Sequence, residues 1–172
     1  MKKIIFFTML LVVSAQAQRK NPPIHREHQA HSHGSGNLSI AFEKNSGKIE
    51  FKMTAESILG FEHNAKSESD KKTLATNMQI FETEISKMII FDASLNCQFT
   101  KEQLAQQSDA DSHHSDWIAQ YSLRCDRSPL KTKLIIDFTR YKKIRDLDIT
   151  LLVEDLQKNA EYKGTPLKID LK

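Results

Sequence analysis

The sequence predicts an α+β fold, in which a mostly antiparallel, sandwich-like β-sheet is combined with one long helix. Several short segments alternate apolar and polar residues with a period of two, which is the pattern of strands with one buried face. One segment near the middle of the chain instead repeats its apolar residues every three or four positions, as an amphipathic helix does. Short turn signals separate most of the alternating segments, and such short connections favour antiparallel neighbours.

The first 17 residues have the composition of a secretory signal peptide. Lys2 and Lys3 give a positive start, an apolar run follows over residues 4–13, and small residues precede a cleavage position after Ala17. The apolar run is too short to cross a bilayer as a mature helix. We therefore expect an exported chain, residues 18–172, that does not insert into the membrane.

The charge of the chain gives no reason to expect a nucleic-acid partner. The whole sequence has 25 Lys and Arg against 22 Asp and Glu, a formal charge of +3. Two of the lysines belong to the predicted signal peptide, so the mature chain is close to neutral. A nearly neutral protein lacks the electrostatic attraction to phosphates on which nucleic-acid binding depends.

Residues 18–36 predict a histidine-containing N-terminal arm. The segment is polar, contains Pro22-Pro23 and ends in Gly34-Ser35-Gly36, a composition typical of extended or loop structure. The remaining residues, 37–172, are enough for a single α+β domain with its own core.

A β-hairpin and the long helix open this domain. Residues 38–42 and 49–53 alternate, and Asn45-Ser46-Gly47 between them is a turn signal. The helix is predicted over about residues 67–88, because Ser67 and Asp70 have capping-box spacing. Five apolar residues form one stripe along it: Leu74, Met78, Phe81, Ile85 and Met88.

The rest of the domain is predicted to be strands with short connections. The segments with strand patterns are 95–99, 117–123, 134–138, 149–153 and 167–171. A short helix is predicted over residues 141–147, and a polar, acidic loop over residues 105–116.

Cys97 and Cys125 are the only cysteines. An isolated pair in an exported protein favours a disulfide, which would stabilise the fold by about 3–4 kcal/mol in the chain-entropy model. Metal ligation by the two thiolates is the alternative, although they lack the short spacing of sulfur-rich zinc sites.

The histidines are the residues that indicate a function. Seven are present, four in the arm, one just before the helix and two in the acidic loop: His25, His28, His31 and His33; His63; His113 and His114. Neutral imidazole is the commonest zinc ligand and also binds copper and nickel. Four histidines within nine residues therefore predict a metal site, with zinc first and copper or nickel as alternatives. Glu62 could add a carboxylate ligand or orient a histidine.

No catalytic arrangement accompanies these histidines. The sequence has no His-Glu-x-x-His helix and no Gly-x-Ser-x-Gly elbow. It therefore predicts a binding protein and not an enzyme, with a copper- or nickel-binding resistance or chaperone protein as the alternative of the same class. A metal-dependent hydrolase, with Glu27 or Glu62 as its base, is the enzyme alternative.

Three motifs, in this order, resemble the ZrgA-like family of zinc-regulated periplasmic zinc-binding proteins. The first opens a strand, the second precedes the helix, and the third leads into a strand that ends at the second cysteine: Arg26-Glu27-His28-Gln29-Ala30-His31-Ser32-His33-Gly34, Gly60-Phe61-Glu62-His63 and His114-Ser115-Asp116-Trp117. The resemblance covers essentially the whole mature chain.

The resemblance implies a periplasmic protein that captures, buffers or delivers Zn²⁺ as an accessory to high-affinity zinc uptake. It implies a zinc ABC-transporter binding protein as the partner. The residues that match the family motifs are His28, His31, His33, Glu62, His63 and His114. His25 and His113 are added because they lie beside these motifs. We expect the sheet to gather the three segments into one composite site.

The chain departs from the family pattern in two places. Asn64-Ala65 stands where many relatives have a proline after the second motif. The loop between the two cysteine-bearing strands is short, where relatives often carry a long His- and Asp-rich loop. We therefore expect one or two metal sites and no high-capacity loop.

Overall fold

The structure, a computed structural model, describes residues 34–108 and 114–172. In these residues the chain forms a six-stranded sheet of order β4-β5-β2-β1-β7-β8 and a three-stranded sheet of order β3-β6-β9. The strands are β1 (Ser35–Glu43), β2 (Ser46–Thr54), β3 (Ile89–Phe91), β4 (Gln98–Ser108), β5 (Ser115–Arg124), β6 (Lys133–Ile136), β7 (Asp146–Val153), β8 (Leu156–Tyr162) and β9 (Leu167–Asp170). The helices are α1 (Ala55–Leu59) and α2 (Glu68–Glu84).

The predicted α+β class is confirmed. The strand pairings described are antiparallel, except that β1 also pairs in parallel with β7. The long helix is present as α2. In the part of the chain that the structure describes, no helix has the length and apolar character needed to cross a membrane.

The first hairpin is confirmed, but its turn comes earlier than predicted. Lys44 and Asn45 connect β1 to β2, whereas the sequence pointed to Asn45-Ser46-Gly47. Lys44 has φ +54°, the left-handed conformation that tight two-residue hairpin turns require. Gly47 lies inside β2, where a Cβ would come within 2.8 Å of the Phe42 ring. Its small size serves packing and not the turn.

Aromatic side chains connect the layers of the core. Phe51 of β2 stacks on Phe138 with ring centroids 5.0 Å apart, and Phe42 of β1 contacts Phe91 of β3 at 5.4 Å. Phe81 of α2 is fully buried and lies 5.0 Å from the ring of Trp117 on β5. The inner face of the six-stranded sheet is thus covered by α2 and by the second sheet, as a sandwich-like arrangement requires.

The start of α2 and its apolar stripe are confirmed. The Ser67 hydroxyl accepts a hydrogen bond from the Asp70 N–H, and the Asp70 carboxylate accepts one from the Ser67 N–H. The α-helix ends at Glu84, and a 3₁₀ turn over Ile85–Lys87 continues the chain. The stripe residues are buried or packed against the core: Leu74, Met78, Phe81, Ile85 and Met88.

Two predicted connections are wrong. Residues 141–147 are not a helix, because the chain makes two tight turns around Tyr141 and then enters β7. Residues 105–116 are not entirely loop, since β4 continues to Ser108 and β5 begins at Ser115. Residues 109–113 lie outside the described residues.

The strand predicted over residues 95–99 begins later than expected. Ala93–Leu95 form a 3₁₀ turn, and β4 begins at Gln98. Asn96 ends the 3₁₀ turn in the left-handed conformation, with φ +46°, and so interrupts the extended backbone.

The disulfide between Cys97 and Cys125 is confirmed. It lies next to the pairing of Gln98 with Arg124, where β4 begins and β5 ends. Since both sulfurs are in the bridge, the alternative of metal ligation by thiolates is excluded for this oxidised form.

Buried tyrosines should make the fold sensitive to alkali. Burial raises the pKa of Tyr141 to about 12 and also raises the pKa of Tyr121. In the unfolded chain these phenols ionise near pH 10, so the stability contributed by the neutral phenols is complete below about pH 10. It is lost as pH rises through the folded pKa, and Tyr141 accounts for at most about 2 kcal/mol by pH 12.

Urea unfolding between about pH 8 and 12, followed by circular dichroism, measures this alkaline loss. We expect the Tyr141→Phe variant to lose less stability over that range than the unsubstituted protein. Equal losses in the two proteins would contradict the assignment to Tyr141.

Candidate metal centre

One end of the six-stranded sheet collects the segments that carry the predicted ligands. β1 begins there and antiparallel β2 ends there, because Gly36 lies opposite Met53. β5 begins at the same end, since Thr54 lies opposite Asp116, and β4 ends beside it. We call this end of the sheet, where β1 and β5 begin and β2 and β4 end, the site end.

A short helix and a glycine lead the chain from β2 to Glu62. α1 follows β2 directly, and Gly60 ends it with φ +88°, its N–H donating to the Glu56 carbonyl at 2.9 Å. This left-handed residue reverses the chain, so that Phe61, Glu62 and His63 return toward β4 and β5.

The left-handed Gly60 leads to a prediction about stability. We expect Gly60→Ala to destabilise the fold by about 1–2 kcal/mol, because a Cβ strains this backbone conformation. No steric clash adds to that cost, since no heavy atom lies within 4 Å of the added Cβ. Chemical denaturation measures the loss, and Gly164→Ala, at φ +81°, should cost a similar amount. A Gly60→Ala variant as stable as the unsubstituted protein would contradict the argument.

Glu62 and His114 are in direct contact. Nδ1 of His114 and Oε2 of Glu62 form a hydrogen bond, in which the ring nitrogen is the donor because a carboxylate can only accept. The Glu62 side chain is 18% exposed and the His114 side chain 49% exposed. With the proton on Nδ1, Nε2 of His114 has the lone pair that a metal ion needs, and the carboxylate fixes the orientation of the ring.

His63 follows Glu62 in the sequence, but its ring has different partners. Its Nε2 lies 3.2 Å from Oδ2 of Asp70, at the start of α2. The ring stacks on Phe61, with centroids 4.8 Å apart. Within residues 34–108 and 114–172, the side chains of Glu62, His63 and His114 do not form a three-ligand cluster. The structure therefore brings Glu62 to His114, while His63 contacts the helix cap.

Asp70 serves both the helix cap and His63. Hydrogen bonds hold the pKa of the Asp70 carboxyl below its usual range; the larger effect comes from Ser67 and a smaller one from the His63 ring. An ionised Asp70 accepts a hydrogen bond from Nε2–H of His63, which leaves Nδ1 of that ring as the nitrogen able to bind a metal. Both described histidines are thus paired with a carboxylate.

Gln106 and Ser115 hold the backbone of this segment, and the sequence did not predict either as a site residue. Nε2 of Gln106 donates to the His63 carbonyl at 2.7 Å and to Oγ of Ser115 at 2.8 Å. The Ser115 hydroxyl donates to the Glu62 carbonyl. Ser115 was part of the third motif, so a signal existed for it. Nothing in the sequence distinguishes Gln106 from other strand glutamines.

The remaining predicted ligands lie outside the described residues: His25, His28, His31, His33 and His113. Their roles stay predictions. Gly34, which follows His33 in the sequence, is the first described residue and leads into β1 at the site end. The Gly34 carbonyl accepts the backbone N–H groups of Arg145 and Asp146, each at 3.0 Å, so the start of β1 is tied to the start of β7.

A second group of possible ligands consists of carboxylates alone. Oxygens of Asp146, Asp148 and Glu161 lie within 4.8 Å of one another on β7 and β8. The Lys163 ammonium contacts Asp146 at 3.3 Å and also contacts Glu161. Because this group has no imidazole and already binds a cationic side chain, it fits zinc less well than the histidine segments do.

A protein-family model matches most of the chain. The family model described as ZrgA family zinc uptake protein matches residues 30–171. The matched range includes Glu62 and five of the histidines, and it begins after His25 and His28. No curated protein matches the chain significantly.

Proposed function

Because this chain belongs to the ZrgA family of zinc uptake proteins, we propose that it is a periplasmic protein that captures, buffers or delivers Zn²⁺. The observation that carries the proposal is the contact between Glu62 and His114 at the site end of the sheet. These residues are 52 positions apart in the sequence, and the chain enters β1 at the same end, two residues after His33 in the sequence.

We propose that zinc is held by imidazoles from all three segments. His114 would bind through Nε2 and His63 through Nδ1, because their other ring nitrogens contact Glu62 and Asp70. The arm would supply His28, His31 and His33. Zinc takes four ligands in most protein sites, so three of these five imidazoles are enough for one site with a position left for water. His25 and His113 are candidates for a second, weaker site.

The mechanism would be reversible coordination. Only neutral imidazole binds zinc, so affinity should fall as pH falls and the ligands protonate. A position occupied by water would let an incoming ligand from a transporter's binding protein attach before the first protein ligand leaves. We propose this handover as the reason for a site that is not fully closed.

Loss of the arm histidines tests whether the site is composite. Replacing His31 and His33 together by alanine should abolish the tightest zinc-binding event, because two imidazole ligands are removed. Competition against a chromophoric zinc chelator measures the affinity, and His25→Ala is the control that should change it little. If the double variant binds zinc as tightly as the unsubstituted protein, His63 and His114 form a site without the arm.

Metal identity distinguishes zinc uptake from a copper or nickel function. Copper binds most nitrogen sites more tightly than zinc, so competition between the metals in solution does not decide the question. The metal content of protein isolated from the exporting cell, grown with limiting zinc, does decide it. We expect zinc; copper or nickel as the dominant metal would contradict the proposal.

A further inference from the structure

Gln106 joins the segment that carries Glu62 and His63 to the ends of β4 and β5. It lies on β4 opposite Trp117 of β5, and its side chain is partly buried. The amide nitrogen of a glutamine has two hydrogens. One goes to the His63 carbonyl at 2.7 Å and the other to Oγ of Ser115 at 2.8 Å. Both donors of Gln106 are therefore in use.

The direction of these hydrogen bonds is fixed. An amide nitrogen has no lone pair to accept with, so Ser115 must accept from Gln106 and direct its own proton elsewhere. That proton goes to the Glu62 carbonyl. Ser115 is 4% exposed, so little water competes for the hydroxyl. Two consecutive carbonyls, those of Glu62 and His63, are thus held by a single connected network.

A peptide held at two successive carbonyls can neither slide nor rotate freely. A third hydrogen bond holds the next residue of the segment by its side chain, since the Ser108 hydroxyl donates to Oδ1 of Asn64 at 2.6 Å. Ser108 lies opposite Ser115 at the ends of β4 and β5. Because His114 directly precedes Ser115, the same network sets the distance between the Glu62 carboxylate and the His114 ring.

We infer that Gln106 and Ser115 are positioning residues, which hold Glu62 and His63 in the geometry that binds metal before the metal arrives. The inference rests on the proposed zinc function. Neither residue is a ligand in it, because each acts through the backbone carbonyl that it holds, Gln106 that of His63 and Ser115 that of Glu62. Their effect is to lower the ordering cost of binding, and loss of outer-shell partners of this kind typically costs about 10–100-fold in metal affinity.

The test compares Gln106→Met with Gln103→Met. Methionine has a similar volume to glutamine and donates no hydrogen bond. Gln103 is an exposed glutamine of the same strand, opposite Gln120 and not Trp117. We expect Gln106→Met to bind zinc about 10–100-fold more weakly and Gln103→Met to bind as the unsubstituted protein does. Unfolding in the presence of a chelator reports separately on the stability of the metal-free fold.

A spectroscopic measurement separates positioning from a general loss of structure. The visible spectrum of the Co²⁺-loaded protein reports ligand geometry, and we expect it to change in Gln106→Met but not in Gln103→Met. Ser115→Ala should resemble Gln106→Met, and Ser115→Thr, which retains the hydroxyl, should restore the affinity. If Gln106→Met does not fold, the two Ser115 variants test the positioning role in its place.

The outcomes distinguish this inference from the function on which it rests. If the unsubstituted protein binds no zinc, the proposed function fails. If the unsubstituted protein binds zinc, and Gln106→Met and Ser115→Ala match it in affinity and Co²⁺ spectrum, the positioning role is overturned while the function stands.

Discussion

Replacement of His114 by alanine is expected to weaken zinc binding by more than about 100-fold, because losing a ligand should cost more than losing an outer-shell partner. The fold should survive, since the His114 side chain is 49% exposed and lies outside the core. Competition titration against a zinc chelator measures the affinity, and chemical denaturation without zinc measures the stability. An affinity within a few fold of the unsubstituted protein would show that His114 is not a ligand.

Variants of Glu62 distinguish orientation of His114 from ligation of zinc. Glu62→Gln retains an oxygen that can accept the Nδ1–H of His114. If Glu62 orients the ring, this variant should lose less affinity than Glu62→Ala. If Glu62 binds the metal through its carboxylate, the two variants should lose similar amounts.

Replacement of both Cys97 and Cys125 by alanine is expected to lower the free energy of unfolding by about 3–4 kcal/mol. The bridge joins residues 28 positions apart, and a cross-link over that separation removes conformational entropy from the unfolded chain. Urea unfolding of the oxidised protein and of the double variant gives the difference directly. A loss below about 1 kcal/mol would contradict this role of the bridge.

The disulfide and His114 should act on different properties of the protein. The bridge lies where β4 begins and β5 ends, whereas the site end is at the other end of the same pair. Ten residues of extended strand separate them by about 30 Å. While it stays folded, the cysteine variant should therefore bind zinc with unchanged affinity, and His114→Ala should have nearly unchanged stability.

The elements that could be predicted are those whose signals are local. The Ser67 and Asp70 capping box lies within four residues, and it is present at the start of α2. The alternation over residues 38–42 of β1 and 49–53 of β2 is strict because one face of each strand is buried there and the other exposed. A short stretch of sequence contains all the information in these cases.

The elements that were missed have signals that depend on distant parts of the fold. The residues of β8 alternate between more and less exposed positions, and Lys158 occupies one of the less exposed ones. Because a charged residue stands there, the sequence does not show the apolar–polar alternation of a strand. Lys158 fits there because its ammonium donates to the carbonyl of Asp170, the last residue of β9. α1 has five residues and β3 has three, too few for a periodic pattern.

The candidate site was predictable in its residue types and not in its contacts. Imidazoles and a carboxylate in three motifs indicated Glu62, His63 and His114. That Glu62 meets His114, while His63 meets Asp70, follows from the β2–β5 pairing and from the turn at Gly60, which no local pattern specifies. Gln106 had no signal, because a glutamine that donates to a carbonyl and to a serine hydroxyl has the same sequence context as one exposed to solvent.

The central claim is that zinc binds at the site end of the sheet, and diffraction from crystals of the zinc-loaded mature protein at the zinc absorption edge tests it most directly. The account predicts an anomalous peak about 2.0–2.1 Å from Nε2 of His114, with an arm histidine among the other ligands. A peak only at the carboxylates of Asp146, Asp148 and Glu161, or no peak near His114, would contradict it.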